Sequence, residues 1–91
     1  MTNSNIQLHQ QALDTLWRIE ENNEQLRKMY AKCVEIEKCP NTSPSFKKMF
    51  IEQYHSMIAE TRRIKQQNLE TYAEIMQRLV QPALEKTLSN N

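Results

Sequence analysis

The residues best suited to chemistry in this chain are two cysteines, two histidines and a short basic run. Cys33, Cys39 and His55 are of the types that hold zinc. The stretch VEIEK between the two cysteines does not match a customary metal-binding spacing, and the sequence supplies no evident fourth ligand. The pattern therefore predicts no metal centre, but one cysteine packed inside a helix and a second in the turn that follows it. His9 and His55 lack a serine or cysteine at a spacing that would form a nucleophile–base pair, so no catalytic residues are expected. Glycine is absent, which removes the phosphate-cradling loops that need it for close backbone approach. Neither a cofactor nor a small-molecule substrate is expected.

Arg62, Arg63 and Lys65 are the residues that could grip phosphates. A net charge of +1 gives no overall field toward nucleic acid, so nucleic-acid binding is the secondary reading and balance against nearby carboxylates the primary one. Ser43-Pro44 could be a proline-directed phosphorylation site, with the phosphate beside Lys47 and Lys48 at a helix start. Asn41-Thr42-Ser43 meets the glycosylation rule, but the N-terminal residues MTNSNIQLHQ do not read as an export signal. Two cysteines without that signal suggest a reducing compartment, cytoplasm or nucleus. No apolar run approaches the roughly 20 residues that span a bilayer, so no membrane partner is expected.

The elements that must position these residues are helical. The fold class expected is all-α: an antiparallel αα-hairpin with coiled-coil-like packing, a single domain over 1–91. A capping-box pattern at Ser4–Gln7 opens the first helix, about 4–38. A turn at 39–43 follows. Ser43 as cap and Pro44 as first helical residue open the second helix, about 44–80. Pro82 should end or kink it, leaving a short C-terminal helix or tail over 82–91.

Three- and four-residue steps mark a seam of Leu16, Ile19, Asn23, Leu26, Tyr30 and Cys33 on the first helix. On the second, Phe50, Tyr54, Met57, Thr61, Ile64 and Asn68 form its counterpart, continued after a stutter by Tyr72, Ile75 and Leu79. Matching these seams sets residue i opposite roughly residue 83 minus i. Glu20, Glu21 and Glu24 then face Arg62, Arg63 and Lys65 across a polar waist, and Glu24–Lys28 is the expected pair within the first helix.

Apolar residues crowd both ends of this hairpin more densely than one stripe per helix requires. The surplus predicts a third surface, either a second copy or a different protein. The residues expected to meet that partner are Met29, Phe46, Met49, Phe50, Tyr54 and Met57 near the turn, and Trp17 and Met76 at the far end. Methionine adapts to partner surfaces and aromatics anchor them. The function expected is therefore non-enzymatic: an adaptor, a scaffold subunit or a small regulator that works by helix packing, as a homodimer or in a hetero-complex.

Overall fold

The structure, a computed structural model, describes residues 2–89, with side chains from 5 to 81. Two long helices, α1 (Thr2–Lys38) and α2 (Pro44–Ser89), form a hairpin of 70 × 22 × 16 Å. Nothing between Thr2 and Lys38 interrupts α1, because its sequence holds neither glycine nor proline. It begins before Ser4, so that serine is a helical residue and not the cap. Thr2 and Asn3 carry nothing that breaks a helix, and the first turn extends back through them.

The turn is built as its residues predict. Ser43 Oγ accepts a hydrogen bond from the Phe46 amide at 3.3 Å, and its carbonyl accepts the first helical bond from the Lys47 amide at 3.0 Å. Pro44 opens α2 without forfeiting a bond, since an N–H at that position has no helical acceptor. On the other side of the turn, the Cys39 amide donates to the Ile36 carbonyl at 3.2 Å and tightens the end of α1. Lys47 Nζ reaches across to donate to the Glu37 carbonyl at 3.0 Å. This bond supplies a cation to the negative end of α1, which accounts for a lysine in the first turn of α2.

Two expectations about helix length and pairing need correction. α2 does not stop near Val80; its backbone runs on through Pro82 to Ser89. A proline inside a helix removes one amide donor, and so close to the end of 46 helical residues that single loss does not terminate it. The pairing is also displaced. Asn68 Nδ2 donates to Asn22 Oδ1 at 2.9 Å, which at the middle of the hairpin sets residue i opposite about residue 90 minus i, one heptad beyond the matching of the predicted seams.

The buried stripe follows from that register. On α1 the inward positions are Leu8, Ala12, Thr15, Ile19, Asn22, Leu26, Met29, Cys33 and Ile36, in unbroken three- and four-residue steps. Those on α2 are Ile51, Tyr54, Ile58, Thr61, Lys65, Asn68, Tyr72, Ile75 and Leu79, without a stutter. Leu16, Asn23 and Tyr30 therefore give way to Thr15, Asn22 and Met29. Phe50, Met57 and Ile64 give way to Ile51, Ile58 and Lys65. Smaller and β-branched side chains let the helices approach closely, and the bulkier neighbours flank the contact.

The core that results is thin. Ile58 is 5% exposed and Thr15 3%, but no large side chain among the described residues is fully enclosed. Burying each isoleucine contributes about 2 kcal/mol. Polar members of the stripe are accommodated individually: Thr15 Oγ1 donates to the Gln11 carbonyl at 2.7 Å, and the two asparagines bond each other. Lys65, half-buried, can lay its methylene stem along the seam with its ammonium near water.

Candidate functional site

The residues expected to meet a partner separate into three places. Met29 and Tyr54 lie in the seam between the helices, half-buried. Their hydrophobicity is used within the hairpin. Phe46, Met49 and Met57 are exposed on α2, Met57 at 54%, and Phe50 is half-buried beside them. The Phe46 and Phe50 rings lie 4.6 Å apart between centroids and tilted by 58°, a tilted aromatic pair one helical turn apart. Ile64, also exposed, extends this line, so Phe50, Met57 and Ile64 recur once per heptad along one flank of the seam. From Phe46 to Ile64 the stripe is about 27 Å long at 1.5 Å per residue.

Trp17 and Met76 do not form one cluster. Trp17, 64% exposed, stands on the outer side of α1 in a shallow groove with Glu20, Glu21 and Glu24. Met76 is half-buried on the flank of α2 opposite to the Phe50 stripe. The exposed Leu69 precedes it by one heptad on the same flank.

That second flank holds a face whose Leu16 and Tyr30 the expected seam had placed inward. Leu13, Leu16, Tyr30 and Val34 are exposed along α1. They continue onto α2 through grooves that join Tyr30 to His55, Ala59 and Arg62, and Leu26 to Gln66 and Leu69. The signal for it was present in the sequence as a second set of three- and four-residue steps beside the first.

Arg62, Arg63 and Lys65 line one shallow groove with Leu26, Gln66 and Leu69. Among the described residues they form no ion pair with Glu20, Glu21 or Glu24; the register sets Arg62 and Arg63 level with Lys28 and Arg27, and Lys65 level with Gln25. Charges pair along each helix instead. Arg27 bonds Glu24, in place of the expected Lys28, and both Nε and Nη2 of Arg63 bond Glu60, the former at 3.1 Å. The bond from Arg27 and then its charge hold the Glu24 carboxyl below the usual range, and the bond from Arg63 does the same for Glu60. Glu60 in turn raises the Arg63 guanidinium further.

The two cysteines have different surroundings. Cys33 is buried in the seam, whereas Cys39 sits in the turn and accepts a hydrogen bond from Thr42 Oγ1 at 2.9 Å. That bond, followed by one from the Asn41 backbone, pulls the Cys39 thiol below its ordinary value; Lys47 adds a smaller push in the same direction. Both cysteines are free, and among the described residues no three His, Cys, Asp or Glu side chains gather closely enough to hold a metal ion. Among the described residues, no helix is long and apolar enough to cross a membrane.

Fold and surface together define an elongated two-helix hairpin with apolar flanks on both sides of its seam. Compared with protein families, curated proteins and solved structures, the chain shows no match.

Proposed function

We propose that the protein is a non-enzymatic interaction module, an adaptor or scaffold subunit that docks a helix of another protein along α2. The observation carrying this reading is the stripe of exposed Phe46, Met57 and Ile64 with half-buried Phe50 among them. Its heptad spacing suits coiled-coil-like packing against an amphipathic helix laid beside the seam. The corresponding flank of α1 offers Arg18, Gln25 and Lys32, the last paired with Glu35 at 3.3 Å, so a partner with an apolar stripe and acidic neighbours would complement Arg18 first. Two free cysteines fit a reducing compartment, cytoplasm or nucleus.

The test is crosslinking in cells from a photoreactive side chain at position 57, with identification of the attached protein. Phe50→Glu combined with Met57→Glu should abolish binding of that protein while leaving the helicity of the hairpin intact. Undiminished binding by the doubly substituted chain would contradict this reading.

A second reading follows from the groove lined by Arg62, Arg63 and Lys65, where Arg63 is already bonded to Glu60 and a phosphate would meet Arg62 and Lys65 first. A nucleic-acid backbone would bind there with an affinity that falls steeply with salt. Absence of binding to a nonspecific duplex at low ionic strength would dispose of it.

A further inference from the structure

The second flank of the hairpin carries a pattern that reads the same in both directions. Along α1 its members are Leu13, Leu16, Glu20, Asn23, Arg27, Tyr30 and Val34, again in three- and four-residue steps. All are exposed except Asn23, which is half-buried. About Asn23 the order is symmetric: two apolar residues, a charge, the asparagine, a charge of opposite sign, two apolar residues. An antiparallel second copy would set Leu13 against Val34, Leu16 against Tyr30 and Glu20 against Arg27, each twice. This is the self-complementarity that a two-fold interface demands, in which residue i meets j and j meets i.

The same flank of α2 has its own centre. Ala59 and Ala73 lie equally far on either side of Gln66, so a two-fold at Gln66 brings small residues together where helices must approach. The Asn22–Asn68 bond fixes which residues of the two helices are level, and it sets Asn23 within about one residue of Gln66. One axis can therefore serve both helices. The centre on α1 was found from charge and hydrophobicity, that on α2 from side-chain size, and the register that aligns them from a bond in the seam.

Surface area leaves room for such an interface. The chain exposes 7411 Å², whereas a compact monomer of this mass exposes about 5,600 Å². The difference, about 1,800 Å², comes from the elongated shape and is shared by both flanks, and it leaves room for the roughly 1,000 Å² per chain at the lower end of obligate homodimers.

We infer that this flank is the interface of a two-fold homodimer, with α1 against α1 and α2 against α2, each antiparallel, and the two turns at opposite ends. The inference goes beyond the proposed function, because the occupant is a second copy of this chain and the Phe50 stripe on the other flank stays open; it competes with the nucleic-acid reading, since the groove of Arg62, Arg63 and Lys65 lies on this flank. In the dimer each Arg27 lies between Glu24 of its own chain and Glu20 of the other copy.

Sedimentation equilibrium in the micromolar range should give the dimer mass. Asn23→Cys, in a chain also carrying Cys39→Ser, should form a disulfide-linked dimer with copper-phenanthroline and air as oxidant, because position 23 faces itself across the axis. Leu13→Cys on the same background should not crosslink alone, but should do so when mixed with a Val34→Cys chain. Glu20→Arg should weaken dimerisation by about tenfold, since it places like charges together twice, and adding Arg27→Glu should restore it. Circular dichroism checks that each variant stays helical, as expected for substitutions outside the seam. A monomer throughout the range overturns the inference, as does a dimer in which Asn23→Cys fails to crosslink. Either result leaves binding at the Phe50 stripe intact, whereas failure of the proposed function would leave this dimer intact.

Discussion

Asn68 donates its side-chain amide to the carbonyl oxygen of Asn22 at 2.9 Å, joining residues 46 apart in sequence at the middle of the hairpin. Asn22 is buried and Asn68 half-buried, so neither amide can turn freely to water. The pair opposes slippage, because a shift of one heptad parts the two amides, setting them against Ile75 and Met29 in one direction and against Thr61 and Thr15 in the other. Asn22→Leu alone should cost roughly 1–3 kcal/mol, since it strands the Asn68 amide. The double variant Asn22→Leu with Asn68→Leu should cost much less than the two single changes together. Urea unfolding of the four chains measures the coupling. Additive costs would mean that the bond contributes nothing to register.

The number and type of elements were legible because a chain without glycine, whose first two prolines fall in the turn and at the start of α2, leaves a helix few places to stop. The Ser43-Pro44 start was legible for a local reason: cap, proline and first turn interact within five residues. The seam was not, because each helix has two apolar stripes that share positions. Ile19, Leu26 and Cys33 belong to both stripes on α1, and Tyr54, Thr61 and Asn68 belong to both on α2. Counting large side chains favoured Leu16, Tyr30, Phe50 and Met57, whereas close approach favoured Thr15, Ile51 and Ile58. Register followed the seam, and the expected cross-helix charges moved with it. Phe46, Met49 and Met57 remained exposed, and Met29 and Tyr54 did not, for the same reason.

Position relative to the true seam predicts a contrast between two large side chains. Ile58→Ala removes a nearly enclosed side chain from a thin core and should cost about 2–4 kcal/mol, enough to unfold much of the population. Trp17→Ala removes a larger but mostly exposed group and should shift stability by no more than about 0.5 kcal/mol. Thermal melts followed by circular dichroism distinguish them. A large loss at Trp17 would show that a partner or second copy covers it.

Ser43 offers a graded test of the turn. Ser43→Ala deletes the oxygen that accepts the Phe46 amide and should cost about 1 kcal/mol. Ser43→Asp keeps an acceptor and adds a negative charge at the start of α2, so its melting temperature should equal or exceed that of the native chain. Because Lys47 already donates to the Glu37 carbonyl, a phosphate on Ser43 would meet a cation held close to the turn. Chemical phosphorylation of Ser43 should therefore preserve the fold. Melting below Ser43→Ala would show that the turn has no room for it.

The cysteines provide the last contrast, and its sign depends on which form reacts. The thiolate is the nucleophile, so a thiol pulled below its ordinary value reacts at lower pH than an unperturbed one. Cys39 is in that condition, through the Thr42 hydroxyl first, and it sits in the turn, whereas Cys33 is buried between the helices. Iodoacetamide near neutral pH should label Cys39 well before Cys33, as read by peptide mass spectrometry. Thr42→Val removes the donor while keeping the shape of the side chain. The pH at which Cys39 labelling reaches half its maximum rate should then rise, while the slow labelling of Cys33 stays unchanged. If the midpoint does not move, the hydroxyl is not what stabilises the thiolate. If Cys33 labels as fast as Cys39 in the folded chain, the seam opens on the timescale of the reaction and Cys33 is not protected within it.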